Sequence, residues 1–223
     1  MRIAVINGSL KDQTTNTNVM VTAFLKGAQA AGAETVNIFL AEKEIKHWGA
    51  SHSYWFHYPG QCMTKHDMAE ALAIGAGTNI IVITTPVYFE NISGMLNAFM
   101  DRLTMTGNHY PSKDKPKEDQ SLVSPKMQLP KLMMISSCGS PERSETQVIS
   151  LWIKRMALKM DTEVIAEIYA AQGRFLTEPT EKLRPFILRY LELLEKAGKE
   201  IATNMNLSAA TKSLLENNMK PII

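Results

Sequence analysis

Apolar runs of strand length alternate along the chain with amphipathic stretches of helix length. Arg2–Asn7 (RIAVIN) is short, β-branched and closed by Gly8, which predicts a buried strand. Thr17–Ala31 carries apolar residues at helical spacing (Val21, Phe24, Leu25, Ala28) and stops at Gly32, so it predicts a helix. Further strands are expected over Thr35–Leu40, Asn79–Thr84 (the most apolar), Lys131–Ser136 and Glu163–Tyr169. Helices are expected over Thr64–Ala76, where Thr64 and Asp67 approach a capping box, and over Ser93–Met105. Another starts at Ser140-Pro141, a cap residue followed by proline at the first helical position, and runs to about Met160. A long helix, Glu178–Thr203, and a weaker one, Ala209–Asn217, close the chain.

Five strands interleaved with helices predict an α/β fold: a five-stranded parallel sheet covered by helices on both faces. Right-handed crossovers make the flavodoxin-like order 2-1-3-4-5 the best arrangement. Ligands in such sheets sit beyond the carboxyl ends of the strands, at the switch point between strands 1 and 3. The loops to watch therefore follow Asn7, Thr84 and Ser136. The whole chain, 1–223, is read as a single domain with residues 178–203 and 204–223 as an appendage.

Composition changes this picture little. Of 223 residues, 45% are hydrophobic and 21% charged, enough for one substantial core. The net charge of +2 gives no footprint for nucleic acid or an anionic membrane. No stretch approaches a membrane span, and the apolar run at the N-terminus is too short for a signal peptide. Two cysteines, Cys62 and Cys138, make no disulfide framework, so a cytoplasmic location is expected. The 14 methionines read as core filler rather than a soft pocket lining.

Two loops carry candidate chemistry. After the first strand come Gly8, Ser9, Lys11, Thr14, Thr15, Asn16 and Thr17. A Gly turn, hydroxyl and amide donors, a lysine and a helix N-terminus together suit a phosphate. The spacing is neither a Walker loop nor a dinucleotide fingerprint. By itself this loop reads equally well as a polar turn with a helix cap. After the third strand comes Thr85-Pro86-Val87-Tyr88-Phe89-Glu90-Asn91-Ile92-Ser93-Gly94. Tyr88 and Phe89 offer aromatic surface to a flat ring, and backbone N–H groups around Val87–Asn91 offer donors to its polar edge.

These residues, with Phe99, Asp101 and Arg102, with Pro59-Gly60-Gln61-Cys62 and Asp67-Met68, and with Ser137-Cys138-Gly139, resemble the NAD(P)H-dependent FMN reductases of flavodoxin-like fold. The resemblance spans Met1 to about Tyr169 and points to the branch related to iron–sulfur flavoproteins. It implies FMN as cofactor, NADH or NADPH as reductant and a small-molecule electron acceptor. It implies a phosphate site at Ser9, Lys11, Thr15, Asn16 and Thr17. It implies a ring site at Pro86, Val87, Tyr88, Phe89, Asn91, Ser137 and Gly139, with Ser93 near it. Asp101 and Arg102 read as a structural ion pair or a subunit contact. Asn97 stands where the family commonly has lysine. Relatives wall the flavin with a second subunit, which implies a homodimer or homotetramer.

The iron–sulfur branch has four cysteines between strand 2 and helix 2. Here Trp48, Ser51 and Tyr54 stand at three of those positions and Cys62 at the fourth. One thiolate cannot hold such a cluster. The nearby His47, His52, His57 and His66 match no zinc spacing, so no metal is expected. The segment His47–Cys62 reads instead as an aromatic loop facing flavin, substrate or another subunit. Gly107–Pro130 is polar and reads as a loop or lid. Cys62 and Cys138 read as ordinary thiols. Arg143 and Arg174 suit either solvent or a nicotinamide ribose phosphate. No catalytic side chain is expected, because a flavin performs the hydride chemistry itself. An electron carrier without NAD(P)H turnover is the alternative.

Overall fold

The apolar runs form the strands of one parallel sheet in the computed structural model, which describes residues 1–10, 15–48, 67–75, 77–103, 129–177 and 180–218. The strands are β1 (Arg2–Asn7), β2 (Glu34–Phe39), β3 (Ile80–Pro86), β4 (Lys131–Ser137) and β5 (Val164–Ala170). Their order, β2-β1-β3-β4-β5, is the flavodoxin-like one. β3 is paired on both edges and is the most apolar strand, whereas the edge strand β2 is half-buried. β3 runs two residues past the expected end at Thr84, because Thr85 pairs with Ser136 and Pro86 with Ser137. Proline is tolerated there as the last residue of its strand, where little ladder remains to donate to.

Alternate residues of each strand feed two cores. Val5, Val82, Met133 and Ile168 face α1 (Asn16–Ala30), while Ile6, Ile83 and Met134 face the opposite side. On that opposite side lie α2 (Met68–Gly75), α3 (Gly94–Leu103) and α4 (Gln147–Lys159). The α1 face is completed by α5 (Arg184–Asn204) and α6 (Ala209–Asn218). Tyr190, Leu194, Ala197 and Ile201 of α5 are fully buried. The segment read as an appendage thus supplies about a third of the buried residues of the first core among the described residues. α1 and α5 approach so closely that a Cβ on Gly27 would collide with the backbone of Glu195, and one on Gly198 with the carbonyl of Phe24.

Three helix starts differ from expectation. At 140–142 the chain is not helical: the Ser140 hydroxyl accepts from the Glu142 N–H (3.1 Å), two residues on. That local turn takes the hydroxyl expected to cap a helix. A 3₁₀ turn, Arg143–Thr146, follows, and α4 starts only at Gln147. α5 starts at Arg184, with Pro185 in its first turn, not at Glu178, which lies outside the described residues. α2 starts at Met68. Thr64 lies outside the described residues, and the Asp67 carboxylate accepts from the Glu44 N–H (2.8 Å). Among the described residues no helix is long and apolar enough to cross a membrane.

Candidate functional site

The ends of β1, β3 and β4 lie side by side: Asn7 pairs with Thr84, and Pro86 with Ser137. Their outgoing turns are tied to one another before any ligand is considered. The buried Asn7 carboxamide accepts from the Ser9 N–H (3.0 Å) and hydroxyl (2.6 Å) and donates to Asn37 on β2 (3.2 Å). Gly8 N–H donates to the Thr84 carbonyl (2.8 Å), and its own carbonyl accepts from the Ser93 hydroxyl (2.7 Å). Gly8 was expected to supply an unusual backbone conformation. Its φ is not positive; the requirement is room, since a Cβ there would lie 2.9 Å from Leu96 Cβ and from Ser93 Oγ. On the α1 side, the buried hydroxyls of Thr17 and Ser137 are 2.8 Å apart.

Around these ties runs an open cavity of about 470 Å3, lined by Ser9, Leu10, Thr15, Asn16, Thr17, Pro86, Val87, Tyr88, Ser137, Cys138, Gly139, Arg174 and Thr177. That is an ordinary size for a small-molecule site. At one end is the N-terminus of α1. Its N-cap, Thr15, makes no side-chain cap, and its first turn holds no acidic residue. The positive end of the helix dipole therefore faces the cavity. At the other end stand Pro86, Val87 and the exposed Tyr88.

Nine of the expected site residues meet on this wall: Ser9, Thr15, Asn16, Thr17, Pro86, Val87, Tyr88, Ser137 and Gly139. Lys11 lies outside the described residues. Phe89 and Asn91 are not on the wall. Tyr88 and Asn91 exchange two backbone hydrogen bonds (2.9 and 3.0 Å) and close a tight turn whose central residues, Phe89 and Glu90, have φ of 51° and 60°. That turn aims Phe89 fully into solvent, and the Asn91 carboxamide accepts from the Ile92 N–H (2.8 Å). The turn also consumes donors expected for a ring edge. Val87 N–H donates to the Ser137 carbonyl (2.9 Å), and the N–H groups of Tyr88 and Asn91 serve the turn. Phe89 and Glu90 retain N–H groups without a partner among the described residues.

Arg102 is 96% buried, and its guanidinium donates to the carbonyls of Lys46 (2.7 Å) and His47 (2.6 Å). It anchors the chain leaving β2. Asp101, beside it, is exposed. Ser51, Tyr54, Cys62, His52, His57 and His66 lie outside the described residues, as does most of Gly107–Pro130. No group of three metal-ligating side chains occurs among the described residues.

Leu10, Cys138, Arg174 and Thr177 were not among the expected wall residues. The last two lie just past the carboxyl end of β5, a position the strand pattern marks as clearly as the other three loops. The groups displaced from their ordinary titration range stand elsewhere. A hydrogen bond from Lys43 to Glu70 raises the lysine, and Glu200 is lowered by hydrogen bonds from Thr211 and Ser208 that outweigh its burial.

A family model described as NADPH-dependent FMN reductase matches residues 1–117. An iron-sulfur flavoprotein of Archaeoglobus fulgidus is 24% identical over 100 residues, 45% of this chain and 44% of that protein. A second from the same organism is 30% identical over 111 residues, covering 49% and 53% respectively. The chain thus spans about half the length of the curated relatives it matches. Among solved structures, an FMN-dependent NADH-azoreductase from Bacillus anthracis in complex with FMN superposes with a TM-score of 0.59 at 16% identity, covering 91% of this chain and 98% of that one. An NAD(P)H:quinone oxidoreductase from Methanothermobacter marburgensis superposes at 0.60 and 14%, covering 90% and 95%. A flavone reductase does so at 0.58 and 18%, covering 97% of this chain and 70% of that one. At these identities the superpositions establish the shared fold.

Proposed function

The chain belongs to the NADPH-dependent FMN reductase family, and from that premise we propose that it is an FMN-dependent oxidoreductase. It takes hydride from NADH or NADPH and passes electrons to a small acceptor such as a quinone or a free flavin. The observation that carries this reading is one cavity with the N-terminus of α1, whose first turn has no acidic residue, at one end and Pro86-Val87-Tyr88 at the other.

The residues present fit FMN. A phosphate monoester needs convergent donors, which the α1 N-terminus with Ser9, Thr15 and Thr17 supplies, and no carboxylate lines the cavity among the described residues. Lys11, Asn16 and these hydroxyls would hold the phosphate. Pro86, Val87 and Tyr88 would flank the ring on one side, with Ser137 and Gly139 beside it. A Cβ on Gly139 would meet nothing within 4 Å, so the wall is open there. The N–H groups of Phe89 and Glu90, which have no partner among the described residues, would serve the ring's polar edge. Bound FMN supplies hydride acceptance and donation, so the protein's task is to hold the ring and leave one face accessible. The exposed Tyr88 and Phe89 at the cavity mouth suit cover by a second copy, in a homodimer or homotetramer.

The test is an absorbance spectrum of the purified protein followed by anaerobic titration. A yellow protein bleached within seconds by NADH or NADPH is expected. Bleaching by dithionite alone would overturn the reductase reading and leave an electron carrier.

A further inference from the structure

We propose that Arg174, on the turn after β5, adds a positive charge beside that of Lys11 for the phosphate of the flavin and strengthens the cavity's selection of FMN over riboflavin. The inference rests on the FMN-binding reading above and assigns to a fifth-strand turn a role not expected from the loops after strands 1, 3 and 4.

The turn that carries Arg174 is tied to the β4 turn and to the N-terminus of α1, and Arg174 lines the same cavity. Gln172 takes a left-handed conformation (φ 51°) and donates its N–H to the Ser140 carbonyl (2.9 Å). Gly173 N–H donates to the Cys138 carbonyl (2.8 Å). Thr177 Oγ1 donates to Asn16 Oδ1 (2.8 Å), on the first residue of α1. The short 3₁₀ turn Gly173–Leu176 is therefore fixed to the helix N-terminus at one end and to the β4 turn at the other.

The guanidinium itself lies 4.8 Å from the centroid of the Phe175 ring, which orients its plane. It pairs with no carboxylate among the described residues. No other described residue of the cavity wall is a Lys, Arg, His, Asp or Glu. A phosphate monoester carries close to two negative charges at pH 7. Hydroxyls and helix N–H groups offer it dipoles, and Arg174 adds a formal positive charge with a planar donor fork. Because the arginine is exposed, solvent screens the interaction and the effect is modest.

The 2′-phosphate of NADPH has the same chemistry, so the test separates the two sources. The full-length protein is stripped of flavin and titrated with FMN and with riboflavin by flavin fluorescence. Arg174→Gln is expected to weaken FMN about tenfold while leaving riboflavin unchanged, with Arg174→Lys intermediate. The FMN affinity of the wild type should also fall with added salt more steeply than that of Arg174→Gln. Equal loss of both ligands, or no loss of FMN, overturns the proposal. A higher KM for NADPH but not NADH, with FMN binding unchanged, moves Arg174 to the nicotinamide and also overturns it. A wild-type protein that binds neither flavin overturns the FMN reading itself.

Discussion

Phe89 and Glu90 occupy the two central positions of a tight turn with positive φ at both, the sign pattern of a type I′ turn. Asn-Gly is the pair that such turns favour, and a bulky aromatic is among the least suited. Phe89 gains no burial in return. The double substitution Phe89→Asn with Glu90→Gly should therefore stabilise the protein by about 1 kcal/mol, read from the urea midpoint at unchanged slope. An unchanged midpoint would mean that the turn carries no strain. The same turn marks the limit of what single residues disclose in sequence. Ser9, Thr15, Thr17, Pro86 and Tyr88 are legible because each follows a recognisable strand end. Phe89 and Asn91 follow the same strand end, yet the turn's own hydrogen bonds rotate them off the wall. Arg174 is hidden for another reason. What fixes its turn to α1 is the Thr177–Asn16 bond, between residues 161 positions apart, which no local pattern records.

At the scale of elements, strands were read almost to the residue because their apolar runs are continuous. Helix starts were not. Capping competes with local turns, as at Ser140, and the deciding bond there is to Glu142, a residue of no helical character. One element contact also sets a pH dependence. Glu167 on β5 is half-buried, and burial would raise its carboxyl. Hydrogen bonds from Ser150 (2.5 Å), Tyr169 (2.7 Å) and Lys154 outweigh that and lower it. A carboxyl lowered on folding contributes stability above its unfolded pKa, lost as pH falls through the folded value. Glu167→Gln should flatten the acid limb of the stability curve between about pH 5 and pH 3, measured by denaturation at each pH. A limb as steep as the wild type's would assign the loss to other carboxylates. Tyr169, raised by burial and then by its bond to Glu167, stays neutral throughout.

Considered whole, the molecule has two cores on opposite faces of the same five strands, and the cavity is built from the turns those strands emit. A ligand there touches segments from β1, β3, β4 and β5 together with α1. Apart from the β1 turn and α1, these segments lie far apart along the unfolded chain, so FMN binds the native state in preference to the unfolded one. Linkage then fixes the size of the effect. With free FMN at 100 times its Kd, the native state gains about 2.7 kcal/mol. For a domain of this size that raises Tm by roughly 5–10 °C. Because α5 contributes fully buried side chains to the core under α1, it should melt with the sheet in one transition. The calorimetric and van't Hoff enthalpies of the flavin-free protein should agree. If the C-terminal helices were an appendage, a second transition insensitive to FMN would appear instead. Hydrogen exchange locates the coupling: added FMN should slow amides at 8–10, 15–19, 87–91 and 172–177. Amides of α6, on the far side of α5, should slow only in proportion to global stability.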